Sequence, residues 1–112
     1  MRNFLIAAIM LTAAAFSLAQ EKAISVPSDT KATYVMLEIG GKWPERTIVT
    51  KRMGSSGTSY SKRLYDCSNA TFKYLGTGET MAEMANSKPD SKMSPIVSGS
   101  IADYVGRQAC IR

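Results

Sequence analysis

The sequence predicts an α+β domain: a small antiparallel β-sheet with one C-terminal α-helix tethered to it by a disulfide. Three observations carry this. Alternating runs of β-forming residues between Thr33 and Leu75 are joined by connections too short for parallel crossovers. After Ser100 the apolar residues switch to helical spacing. Cys67 lies in the strand region and Cys110 in the helical one, and these are the two cysteines of a chain that carries an export pattern.

That pattern occupies the N-terminus. Met1-Arg2-Asn3 precedes an uncharged, largely apolar run from Phe4 to Phe16, and Ser17-Leu18-Ala19 places small residues at the −3 and −1 positions before Gln20. One positive charge, a short apolar core and a small-residue cleavage site are the parts of a signal peptide, so residues 1–19 are expected to be removed. As a helix the apolar run would rise only about 20 Å, against a hydrocarbon core of roughly 30 Å, so no transmembrane segment is expected. No cysteine follows the run until Cys67, so no lipoprotein anchor is expected either. The predicted destination is the periplasm or the exterior.

Residues 20–30 are polar, contain Pro27 and read as a flexible lead-in to a domain spanning 31–112. Thr33, Val35, Leu37 and Ile39 alternate with Tyr34, Met36 and Glu38, the clearest strand of the chain, with the first set on the expected core side. Gly40-Gly41 is expected to end it, with Trp43-Pro44 in the turn that follows. Arg46–Met53 reads as the second strand, and Gly54-Ser55-Ser56-Gly57 as a break. Tyr60–Cys67 and Thr71–Leu75 continue the meander around a Ser68-Asn69-Ala70 turn, and Gly76 and Gly78 bracket another turn. Thr80–Asn86 fits either a short strand or a helical turn. Residues 87–99, with Pro89, Pro95 and Gly99, read as a loop with a brief extended piece near Ile96-Val97. Ser100 and Asp103 form a capping-box-like start, and Ile101, Tyr104, Val105 and Ala109 mark a helix of about ten residues. A Cys67–Cys110 bond would pin that helix to the sheet and, on the chain-entropy estimate for a loop of this size, contribute about 4 kcal/mol.

The chemistry-bearing inventory is thin. The 112 residues include no histidine, which removes His-based acid–base catalysis and the usual Cys/His zinc sites, and no cofactor or metal is expected. Carboxylates are scattered; Asp66 beside Cys67 is the one to watch, with a hydrogen bond to backbone or to a neighbouring base as its ordinary role. A serine nucleophile would need lysine as its base, and no local motif supports such a pair. Gly54-Ser55-Ser56-Gly57 lacks the lysine-terminated phosphate-loop pattern, and Asn69-Ala70-Thr71 matches only the short glycosylation tripeptide. The chain therefore reads as a non-enzyme.

Charge is the stronger lead. Residues 42–73 hold Lys42, Arg46, Lys51, Arg52, Lys62, Arg63 and Lys73 against Glu45 and Asp66. One reading is an electropositive face for an acidic partner, a glycan, headgroup layer or protein. The other is a solvated strand face whose lysines block edge pairing. The candidate binding residues are Lys51, Arg52, Lys62, Arg63 and Lys73, with Trp43 as an aromatic anchor whose alternative fate is packing. Nucleic acid is not an expected partner, given the export pattern and the absence of a recognised motif.

In order along the C-terminal half, Tyr65-Asp66-Cys67, Phe72, Gly76 and Gly78, Pro95, Ser98-Gly99-Ser100-Ile101 and Cys110 resemble the surface-adhesin protein E family of small exported bacterial domains. The resemblance covers roughly residues 60–110. It implies an antiparallel sheet with a disulfide-tethered C-terminal helix, and adhesion to host matrix proteins such as laminin and vitronectin. The expected function is thus an exported, non-enzymatic binding domain for a host matrix or periplasmic protein. The alternatives are a periplasmic inhibitor of a cell-wall hydrolase and an envelope structural component.

Overall fold

The computed structural model describes residues 21–112; the expected signal peptide lies outside them. Six strands form one sheet in sequence order: β1 (Lys22–Ile24), β2 (Ala32–Lys42), β3 (Glu45–Gly54), β4 (Gly57–Asp66), β5 (Thr71–Gly78) and β6 (Ser94–Pro95). Every neighbouring pair is antiparallel, so the sheet is a meander throughout. Two helices, α1 (Met81–Asn86) and α2 (Ile101–Ala109), pack on it. No helix among the described residues is long and apolar enough to cross a membrane.

The lead-in expected to be flexible is instead part of the sheet and core. Residues 22–24 form β1 against Tyr34–Met36, and Ile24 and Val26 are buried in the core. These two apolar residues, separated by one polar residue, reach the core under an otherwise polar stretch, which average composition conceals.

The core side of β2 is also not the one its β-branched residues indicate. Tyr34 is buried, with Ala32 and Met36 packed beside it, while Thr33 is exposed. A bulge between Met36 and Glu38 then inserts Leu37 as an extra residue, and Ile39 joins the same core side opposite Ile48. One inserted residue inverts the phase of a period-two pattern, so a strand with a bulge cannot keep one alternating set on one face. β2 further runs through Gly40-Gly41, with Trp43-Pro44 as the tight connection to β3; Gly41, at φ +78°, needs glycine there.

The remaining differences come from packing. Gly54 pairs with Gly57, so the serines between them form a two-residue hairpin turn rather than a flexible break. Gly76 and Gly78 lie inside β5 because α1 sits directly on them. A side chain at Gly76 would collide with the Met84 carbonyl, and one at Gly78 would meet the Met84 amide at 2.6 Å. Thr80–Asn86 resolves as helix, capped by Thr80, whose hydroxyl accepts from the Glu83 amide. The brief extended piece of the following loop falls at Ser94–Pro95, just before Ile96-Val97.

α2 starts as its sequence predicts: the Ser100 hydroxyl accepts from the Asp103 amide, and the Asp103 carboxylate accepts from the Gly99 amide. It buries Ala102, Val105, Gly106 and Ala109 against the sheet, with Ile101 and Tyr104 at the margins. Tyr65 is the centre of that contact. It is fully buried, its hydroxyl donates to the Ala102 carbonyl at 2.6 Å, and its ring fills the space that a Gly106 side chain would need. Burial pushes its hydroxyl pKa well above the usual phenol range. Cys67 and Cys110 are bonded, with Cα atoms 5.6 Å apart, and join the end of α2 to the end of β4.

Candidate functional site

The basic stretch does not form one patch. Directly opposed residues of an antiparallel sheet project to the same side, and successive residues to opposite sides. Lys51 stands opposite Tyr60, Lys62 opposite Val49, and Leu64 opposite both Thr47 and Lys73. Tyr60, Lys62 and Leu64 alternate along β4, so Lys51, Lys62 and Lys73 share one face. This is the face that carries Gly76 and Gly78, hence α1. Arg46 opposes Tyr65, Ile48 opposes Arg63, and Tyr34 opposes Arg52, so all three arginines share the other face with Tyr65 and α2.

Two of these arginines, Arg52 and Arg63, are committed to the fold. Arg52 pairs with Asp29 at 2.9 Å, and the Tyr34 hydroxyl donates to the same carboxylate at 2.7 Å. The Arg52 guanidinium, followed by Tyr34, holds the Asp29 carboxyl below its ordinary range. Arg63 is only 3% exposed and has no carboxylate partner among the described residues. Its guanidinium donates to the Thr50 hydroxyl at 2.9 Å and to the Tyr74 hydroxyl at 3.3 Å, and lies 4.9 Å from the Tyr74 ring centroid. A delocalised, weakly hydrated cation tolerates such a neutral and aromatic setting better than an ammonium would.

The lysines differ on every count. Lys51, Lys62 and Lys73 are each partly exposed, and none forms an ion pair among the described residues. Lys51 Nζ lies 5.9 Å from the Tyr60 ring centroid, a contact that leaves the charge in water. Val49 is buried on this face, while Val35 and Leu64 are half-buried between the lysine stems.

Trp43 lies apart from both groups. At the β2–β3 connection its indole N–H donates to the Cys110 carbonyl at 3.4 Å, and the Arg112 guanidinium stacks 3.7 Å from its ring centroid. It braces the C-terminus beside the disulfide. Asp66 caps the turn after β4: its carboxylate accepts from the Ser68 and Asn69 amides and from both side chains, which lowers its pKa, the Asn69 side chain contributing most.

Of the six candidates, then, the structure brings Lys51, Lys62 and Lys73 together, turns Arg52 and Arg63 to the opposite face, and places Trp43 at one end. Part of this was available earlier: Lys51–Arg52 and Lys62–Arg63 are adjacent pairs, which a strand must divide between its faces. Among the described residues no group of His, Cys, Asp and Glu has metal-binding geometry. Comparison of the chain with protein-family models, curated proteins and solved structures finds no match.

Proposed function

We propose that this chain is an exported, non-enzymatic binding domain that engages an acidic partner through Lys51, Lys62 and Lys73. The observation that carries the reading is that these three ammonium groups share one sheet face and have no carboxylate partner among the described residues, whereas Arg52 and Arg63 are engaged by the fold. The disulfide supports export, because such bonds persist in oxidising compartments. The order of C-terminal motifs that resembles the surface-adhesin protein E family supports adhesion as the use of that face. In this reading laminin and vitronectin are the first partners to test.

The test is surface plasmon resonance of the oxidised mature protein on immobilised laminin and vitronectin at physiological salt. Saturable micromolar or tighter binding is expected, weakened about tenfold or more by joint replacement of Lys51, Lys62 and Lys73 with Glu, and weakened by added salt. Binding that ignores both salt and the lysine replacements would overturn the reading.

A further inference from the structure

The three lysines are not scattered over their face. Lys51 on β3 and Lys62 on β4 are diagonal neighbours, because Lys62 opposes Val49, two residues from Lys51. Lys62 and Lys73 are diagonal neighbours in the same sense, because Lys73 opposes Leu64, two residues beyond Lys62. Diagonal Cβ atoms in a sheet lie about 7–8 Å apart, so the three stems form a row about 15 Å long, oblique to the strands, whose second step crosses the β4–β5 bulge beside Lys62.

The row has acidic borders. On one side α1 stands over Gly76 and Gly78 beside Lys62 and brings Glu83, whose carboxylate accepts from the Glu79 amide. On the other side, the opposed pairs Glu38–Val49 and Glu45–Asp66 place three carboxylates on the lysine face, Glu45 standing opposite Lys42 and Asp66 engaged by the Ser68–Asn69 turn, so that Glu38, in the rank of Lys62, is the carboxylate beside the row. With Glu83 on one flank and Glu38 on the other, the strongest attraction for a flexible anion runs along the diagonal. The low wall of α1 adds a steric edge to the electrostatic one.

The chemistry of the cations narrows the ligand. An arginine fork recognises a carboxylate or phosphate bidentately, and a compact lysine ammonium acts as a point charge. Every arginine of the central strands is on the opposite face. What remains reads the spacing of negative charges along a line and makes no demand for a carboxylate fork. We infer that the Lys51–Lys62–Lys73 diagonal is a track for a linear sulfated polysaccharide, whose repeating sulfates meet the ammonium groups in turn while its sugar rings pass over Tyr60 and Leu64. The inference rests on the acidic-partner reading above and narrows it to one class of ligand.

Isothermal titration of the oxidised mature protein with a heparin decasaccharide tests it. Hyaluronan, which bears carboxylates but no sulfate, and poly-glutamate serve as parallel probes. The decasaccharide is expected to bind saturably and at least about tenfold more tightly than either parallel probe or a heparin disaccharide, which is too short to span the row. Lys51→Gln/Lys73→Gln, which removes the two ends, is expected to weaken it about tenfold, with the melting temperature unchanged. Lys22→Gln/Lys31→Gln removes the same charge elsewhere, Lys22 projecting to the α2 side opposite Met36, and is expected to change it less than about twofold. Equal losses in the two double variants would overturn the track, because net charge alone would then explain binding. Lysine-dependent binding of poly-glutamate without preference for the decasaccharide would overturn the track and support the acidic-partner reading. Failure of all three probes, together with laminin and vitronectin binding that ignores the lysines, would overturn both.

Discussion

Three arginines on one face of the central strands and three lysines on the other are used in opposite ways. On the α2 face, Arg46, Arg52 and Arg63 are surrounded by Tyr34, Tyr65, Thr50 and Tyr74, and the guanidinium groups of Arg52 and Arg63 serve as hydrogen-bond donors that tie strands together. On the α1 face, Lys51, Lys62 and Lys73 have aliphatic neighbours for their stems and water for their charges. A guanidinium is planar, weakly hydrated and able to stack, so Arg63 is taken into the interior on neutral partners, while the partly exposed Arg52 is held by Asp29. An ammonium loses strong hydration on burial and stays at the surface. Within this basic stretch, the choice between arginine and lysine therefore separates residues that build the fold from residues free to meet a partner.

The comparison predicts that perturbing the α2 face costs stability and perturbing the lysine face does not. The largest effect is expected at its disulfide. Cys67→Ser should lower stability by about 2–5 kcal/mol, seen as a drop in melting temperature under non-reducing conditions. An unchanged melting temperature would mean that the tether between β4 and α2 contributes nothing.

Next comes Gly106→Ala. The added methyl would sit 2.7 Å from Tyr65 Cε1, with the ring fixed by its hydrogen bond to Ala102. Forcing α2 away should cost about 1–3 kcal/mol, measured by urea denaturation.

The ion pair on this face gives a smaller, pH-dependent effect. Arg52 and Tyr34 depress the Asp29 pKa in the folded state below its value in the unfolded chain. The unfolded state therefore takes up a proton first as pH falls. The contribution of Asp29 is fully present above its ordinary value of 3.8 and is lost as pH drops through the lower folded value. Asp29→Asn should accordingly be less stable than the parent at neutral pH and should lose less stability on acidification, a difference that urea midpoints at pH 6 and in the acid range would expose.

Smallest of all, joint replacement of Lys51, Lys62 and Lys73 by Gln should move stability by no more than about 0.5 kcal/mol per site while removing the interaction with anionic partners. A large loss of stability there would erase the distinction between the faces.

Much of this architecture was legible in the chain. The meander from β2 to β5 follows from alternation and short connections, and α2 from its Ser100 cap and helical spacing. What was missed shares a cause. Ile24 and Val26 gain meaning only when β1 lies against β2; Leu37 inverts the alternation of β2 as a bulge; Gly76 and Gly78 are strand residues because α1 needs their missing side chains. Each depends on a partner segment elsewhere in the chain. The candidate site was missed in the same manner: Lys62 and Lys73 become neighbours through the β4–β5 register, and a bulge between Lys62 and Arg63 helps set what opposes each.

The sequence by itself determined the fold class, the antiparallel order of the middle strands, the start of α2, the cysteines available for pairing, and the division of Lys51 from Arg52 and of Lys62 from Arg63. All of these follow from local pattern or from the twofold alternation of a strand. Only the tertiary structure decided which face received the helix, which basic residues were thereby enclosed, and that three lysines from three strands stand in one line. The reason is that a face acquires its environment from strand register and from the element packed upon it, and both are long-range relations that no local window of residues contains.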